Sequence, residues 1–288
     1  MVLNRNNSIN LHQEKTEIQC FQTELSKYQI ITKLSKGSFG TTYLAKNLDG
    51  TTVVVKIIKK SCERTIKKIE NEIKIPQMFN HVNIVKIIDK LDTKSHSYII
   101  YPYIPNSRSL YMFKNGELDS SKKDNVRRIL GYIDHVCDAI KVLHSKNIIH
   151  GDIKPHNIVA SENIAFLIDF DLSENMNEPS CQLCSRISGT PNYLAPEIWS
   201  QQDNIDYKLT DIYSLGVTMY YLFNKRKLPY NAKNMEDLEC RIRSYEPVKS
   251  NTGIKLLDKL IMSIISKDPN KRPDIDKIKR IIILIRNL

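Results

Sequence analysis

The chain has no run approaching the ~18 uninterrupted apolar residues of a membrane-spanning helix, so a span is not expected. Its start, Met1 to Glu24, is polar and holds no apolar h-region, which argues against secretion. Internal repeats and low-complexity tracts are absent, which excludes solenoid architectures. The six cysteines (Cys20, Cys62, Cys137, Cys181, Cys184 and Cys240) are scattered, which suits reduced thiols in a cytoplasmic or nuclear setting better than a disulfide framework. A structural zinc site needs four ligands, and Cys181-Gln182-Leu183-Cys184 has no second pair at ribbon spacing. Two loop thiols are expected there. Missing too is any run of basic residues interleaved with aromatics, so the net charge of +11 reads as a solvated basic surface that favours acidic partners, not as a nucleic-acid groove.

What is present is ordinary globular material, 41% hydrophobic and 26% charged over 288 residues, enough for two lobes at roughly 100–200 residues per domain. One stretch carries chemistry: Ile149-His150-Gly151-Asp152-Ile153-Lys154-Pro155-His156-Asn157, followed by Asp169-Phe170-Asp171. Phosphoryl transfer needs one carboxylate to accept a hydroxyl proton, while an amide and a second carboxylate hold magnesium against the triphosphate. Asp152, Asn157 and Asp169 fit those roles in order. At these residues the chain resembles the eukaryotic protein kinase family, whose catalytic loop reads HRDxxxxN and whose magnesium loop reads DFG.

Further motifs follow in the family's order. Leu34-Ser35-Lys36-Gly37-Ser38-Phe39-Gly40-Thr41-Thr42 resembles the glycine-rich loop over the phosphates, with Ser35 at the first glycine and Gly37 and Gly40 at the second and third. Val53-Val54-Val55-Lys56 reads as a strand whose lysine would neutralise the α- and β-phosphates. Apolar residues recur at helical spacing from Ile66 to Ile75, and the family's helix C glutamate falls on Glu72, nine residues before His81. A Lys56–Glu72 pair is expected. Glu70 competes for that role but would face roughly 200° away on a helix. Gly189-Thr190-Pro191-Asn192-Tyr193-Leu194-Ala195-Pro196-Glu197 resembles the end of the activation segment. The resemblance implies a buried Glu197–Arg272 pair, and implies that Asp211 fastens the catalytic-loop backbone. Tyr101-Pro102-Tyr103-Ile104 falls at the hinge that would bind adenine, Thr42 and Val54 would lie above the adenine, and Val159 would form its floor.

The resemblance, spanning about residues 28 to 286, implies an α+β, bilobal protein kinase fold: a small β-rich N-lobe with helix C and a larger, mainly α-helical C-lobe. Residues 1–26 are read as an extension, 27–104 as the N-lobe and 105–288 as the C-lobe. Strands are expected from Tyr28 to Lys59, around Lys86 to Leu91 and from Ser97 to Ile104, with a long helix from Lys123 to Ser145. The implied activity is transfer of the ATP γ-phosphate to Ser or Thr hydroxyls of protein substrates, with Mg2+ held by Asn157 and Asp169, and a monomer is expected. Ser/Thr specificity rests on Lys154, which in such kinases reaches the γ-phosphate, and on Thr190, whose hydroxyl would bridge Lys154 and the base Asp152.

Departures from the pattern carry expectations of their own. Gly151 replaces the arginine that receives an activation-segment phosphate, so activity should not depend on phosphorylation of Ser180, Ser185 or Ser188. Asp171 replaces the glycine of DFG, adding a carboxylate beside the metal site and removing backbone freedom. Val54 is larger than usual, and Pro76 should end or kink helix C early. These features keep a second reading open, a pseudokinase that serves as a binding or allosteric scaffold.

Overall fold

The computed structural model describes residues 20–37, 39–113, 117–118, 120, 122–178, 188–200 and 204–288. They form two compact units, one ending at Lys59 and resuming over Ile88–Tyr103, the other comprising Lys60–Ile87 and Ile104–Leu288.

The first unit is a six-stranded antiparallel sheet of β1 (Cys20–Gln22), β2 (Lys27–Lys36), β3 (Thr41–Asn47), β4 (Thr52–Lys59), β5 (Asp89–Asp92) and β6 (His96–Pro102), ordered β1-β2-β3-β4-β6-β5. Alternation drives it: Val53, Val55 and Ile57 of β4 point one way and bury against Tyr28, Ala45, Tyr98 and Ile100. Among the described residues the sheet begins at Cys20, earlier than the Tyr28 expected for the first strand from sequence. Phe21 on β1 stacks 5.2 Å from Tyr28 and lies 4.7 Å from Tyr98, which gives that short edge strand an aromatic anchor. Thr23 and Tyr28 both donate to Asp89 Oδ2, fastening the start of the sheet to β5. The strand expected at Lys86 to Leu91 is shorter and later, since Ile88 and the residues before it lie outside the ladder of β5.

In the second unit α1 (Glu63–Gln77) ends one residue after Pro76, which occupies its last turn. Beyond it, Asn83 explains why α1 belongs here. Its carbonyl accepts from Leu167 N at 2.8 Å and its amide donates to Ala165 O at 2.8 Å. The helix α2 (Lys123–Ser145) matches the apolar periodicity residue for residue, burying Val126, Ile129, Leu130, Ile133, Val136, Ile140 and Leu143. β7 (Arg108–Ser109) precedes α2, and β8 (Ile148–Ile149), β9 (Ile158–Ser161), β10 (Ile164–Leu167) and β11 (Glu174–Asn175) follow it, paired as β10-β9-β7 and β11-β8. Four helices follow the short α3 (Pro196–Trp199): α4 (Tyr207–Phe223), α5 (Met235–Ser244), α6 (Lys255–Ile264) and α7 (Ile275–Asn287). From Thr210 onward α4 is buried on every side, as expected of a helix apolar all round. Asp206, Asn234 and Asp274 cap the amides that open α4, α5 and α7.

Candidate active site

In the first unit Leu34, Ser35 and Lys36 finish β2, and the turn to β3 closes through Gly37 N donating to Gly40 O at 2.9 Å. Ser38 lies outside the described residues. Gly40 is fixed by close approach: a Cβ there would sit 2.7 Å from the Ile57 carbonyl oxygen of β4. Thr42 on β3 pairs with Lys56 on β4, and the Lys56 ammonium lies 5.6 Å from the centre of the Phe39 ring. Tyr103 follows β6 and is exposed.

In the second unit the chain leaves β8 at Ile149 and makes a 3-10 turn over Pro155–Asn157 before entering β9, which carries the partly buried Val159. This path brings Asp152, Lys154, Asn157 and Thr190 together. Asp152 Oδ1 accepts from Thr190 N at 3.0 Å and from Thr190 Oγ1 at 2.7 Å. Its Oδ2 accepts from Lys154 Nζ at 2.6 Å and from Asn157 Nδ2 at 3.1 Å. Lys154 Nζ also donates to Thr190 Oγ1 at 2.5 Å, so the threonine hydroxyl accepts one bond and passes on another. With a donor pair on each oxygen, the carboxylate plane is fixed.

The backbone under this cluster is held from α4. Asp211 is buried, and its two oxygens accept from His150 N at 2.9 Å and Gly151 N at 3.0 Å. Burial alone would raise the Asp211 carboxyl, but the His144 ring, 2.8 Å from Oδ2, and the loop amide of His150 hold it below its ordinary value. His150 accepts from Asp152 N at 3.3 Å on Nδ1 and lies 3.1 Å from Ile168 O through Nε2, so a ring carrying its proton on Nε2 satisfies both. Gly151 has a φ of 78°, and a Cβ there would lie 2.7 Å from Leu172 O. Glycine at this position therefore does more than remove a phosphate partner: it relieves a left-handed backbone pressed against the next strand of chain.

Asp169 also has a left-handed backbone, with φ 67°, and is followed by Phe170, which is buried 5.1 Å from the His150 ring. The Phe170 N–H donates to Glu72 Oε2. Glu72 is buried and Glu70 exposed, so α1 turns the former inward. Asp171 is buried, and its Oδ2 lies 3.1 Å from Lys68 Nζ on α1, a partner not expected from the sequence. Lys68 was not legible as a functional residue, because a lysine on a helix usually reads as a solvated face. Its position four residues before Glu72 was the available signal. His144 was missed for the same kind of reason: a lone histidine at a helix end carries no motif.

Farther along, the expected latch is present. Arg272 Nη1 and Nη2 donate to Glu197 Oε1 and Oε2 at 2.6 and 2.8 Å, a buried bidentate pair. Removing either partner would strand a buried charge, at about 3–5 kcal/mol. Cys181, Cys184, Ser180 and Ser185 lie outside the described residues.

The donor chemistry suits a hard divalent cation. Asn157 Nδ2 spends its hydrogens on Asp152 O at 2.9 Å and Asp152 Oδ2 at 3.1 Å, which leaves the amide oxygen as the atom that could ligate a cation. Among the described residues no cluster of three or more His, Cys, Asp or Glu forms an all-protein metal cage. One amide and one carboxylate, completed by phosphate oxygens, is the arrangement magnesium usually accepts.

A mainly antiparallel sheet in one unit and a helical second unit with this loop constellation define an α+β phosphotransfer domain. The chain matches the Protein kinase domain family over residues 28–281, and it belongs to that family. It is 45% identical over 230 residues, 79% of its own length and 83% of the other's, to R436 of Acanthamoeba polyphaga mimivirus, whose name places it among serine/threonine-protein kinases. It is 31% identical over 263 residues to nek3 of Dictyostelium discoideum, covering 88% of this chain and 23% of that one. It is 30% identical over 278 residues to the cell cycle serine/threonine-protein kinase CDC5/MSD2 of Saccharomyces cerevisiae, covering 92% of this chain and 37% of that one. The chain thus spans most of the viral relative but well under half of the other two. Family membership brings ATP as phosphate donor, a divalent metal and protein substrates.

Proposed function

We propose that this chain is an active serine/threonine kinase that transfers the γ-phosphate of ATP in line to a Ser or Thr hydroxyl, with residues 27–288 as one catalytic domain. The observation that carries the reading is the Lys154 ammonium bonded to both Asp152 Oδ2 and Thr190 Oγ1. It supports Ser/Thr specificity because a cation there can offset charge on the transferring phosphoryl while Thr190 shapes the acceptor position.

In this mechanism Asp152 orients the acceptor hydroxyl and takes its proton as the new P–O bond forms and the bond to the β-phosphate oxygen breaks. Asn157 and Asp169 would hold Mg2+, which when bound screens charge on the triphosphate. Lys56 neutralises the α- and β-phosphates, and the backbone of residues 34–40 covers them. Glu72, through the Phe170 N–H, steadies the peptide that follows Asp169. Positioning and electrostatics supply the acceleration, so no covalent enzyme intermediate is involved.

Asp152→Ala and Lys56→Met should each abolish transfer to a mixed Ser/Thr acceptor while leaving the circular dichroism melt in place. Retention of transfer by both variants would refute these roles.

A further inference from the structure

Two departures from the family pattern, Gly151 and Asp171, make sense when taken together. With glycine at 151, no side chain from that position can receive a phosphate on the activation segment, and Leu172 O leaves no room for one. Whatever holds α1 to the chain after Asp169 must come from elsewhere.

The inward face of α1 supplies it over two turns. Lys67 Nζ lies 4.0 Å from Glu174 Oε2, Lys68 Nζ 3.1 Å from Asp171 Oδ2, and Asn71 Nδ2 donates to Ser173 O at 2.8 Å. Glu72 accepts from Phe170 N, and Lys74 Nζ lies 2.9 Å from Glu178 Oε1. Residues 67 and 71, and 68 and 72, are one helical turn apart and so share this face.

The contacts are not equal. Lys74 and Glu178 are 64% and 38% exposed, where solvent and salt leave an ion pair worth little. Lys68 and Asp171 are only 23% and 8% exposed, so their attraction is less screened. They also sit where leverage is greatest: α1 grips the N–H of Phe170 through Glu72 and the side chain of the very next residue through Lys68. Both grips fall within two residues of Asp169.

We propose that Lys68 and Asp171 are positioning residues whose ion pair sets α1 and the Asp169 loop in their working arrangement without activation-segment phosphorylation. This rests on the kinase reading above. Neither residue touches substrate; they act through Glu72, Phe170 and Asp169.

The test uses full-length protein treated with phosphatase. Asp171→Asn and Lys68→Met are compared with wild type and with the reversed pair Lys68→Asp/Asp171→Lys, reading kcat, KM for ATP and amide hydrogen exchange in the peptide spanning 63–77. Each single change should lower kcat roughly tenfold, within the range that paired residues couple, and speed exchange in that peptide. The reversed pair should recover much of both, and phosphatase treatment should alter wild-type kcat less than twofold. Wild-type kcat and exchange in both single variants would overturn the proposal, as would a wild type silenced by phosphatase and restored by rephosphorylation. If wild type transfers nothing under any condition, the kinase reading fails, and unchanged exchange in the single variants would then refute the ion pair's hold on α1 separately.

Discussion

Thr190 shows how much one hydroxyl organises. It donates to Asp152 and accepts from Lys154, while its own amide donates to the same carboxylate. Serine keeps the hydroxyl, whereas valine keeps the shape and removes it. Thr190→Val should therefore lower kcat by the worth of a hydrogen bond to a charged group, about 1.5–3 kcal/mol or roughly 10- to 100-fold, with KM for ATP little changed. Thr190→Ser should stay within a few fold, and steady-state kinetics on a peptide acceptor distinguishes the two. This threonine was visible in the sequence because it sits in the Gly189-Thr190-Pro191-Asn192-Tyr193 segment, which resembles the family's Gly-Thr-x-x-Tyr motif. Lys68 was not, since its meaning depends on Asp171, a residue 103 positions away that only the tertiary structure brings near. Similarly, Gly151 read as the loss of an arginine, and the left-handed backbone that favours glycine there became visible only in three dimensions.

At the level of elements, α4 does two jobs: it fills the core of the second unit and presents Asp211 to the catalytic loop. Because the Asp211 carboxyl is held below its ordinary value, its stabilising contribution is complete above the unfolded value of about 3.9 and is lost as pH falls through the lower folded value. Asp211→Asn should cost about 1.5–3 kcal/mol at pH 7, read by urea unfolding, and the gap to wild type should narrow only below about pH 4. A gap that closes between pH 7 and 5 would assign the effect to another group. Helical elements were the most legible in sequence, since α2 carries an unbroken 3.6-residue apolar period over 23 residues. The short edge strand β1 was not, because three residues hold no period. Its place depends on the Phe21 ring finding Tyr28 and Tyr98.

Across the whole molecule the strongest global property is the charge of +11. Such a surface should draw acidic peptides by long-range attraction that salt screens. KM for an acidic Ser/Thr peptide should rise several-fold between about 0.05 and 0.5 M salt, while that for a neutral peptide stays flat. Equal salt responses would place recognition in local contacts. Among the described residues no helix is long and apolar enough to cross a membrane, in line with the sequence. The most direct measurement is transfer of labelled γ-phosphate from Mg-ATP to a mixed Ser/Thr acceptor and to the protein itself, comparing wild type with Asp169→Asn. Label on phosphoserine or phosphothreonine that disappears in the variant is the predicted result. Absence of transfer by wild type, with no thermal stabilisation by ATP, would contradict it and favour a scaffold that keeps the kinase fold without its chemistry.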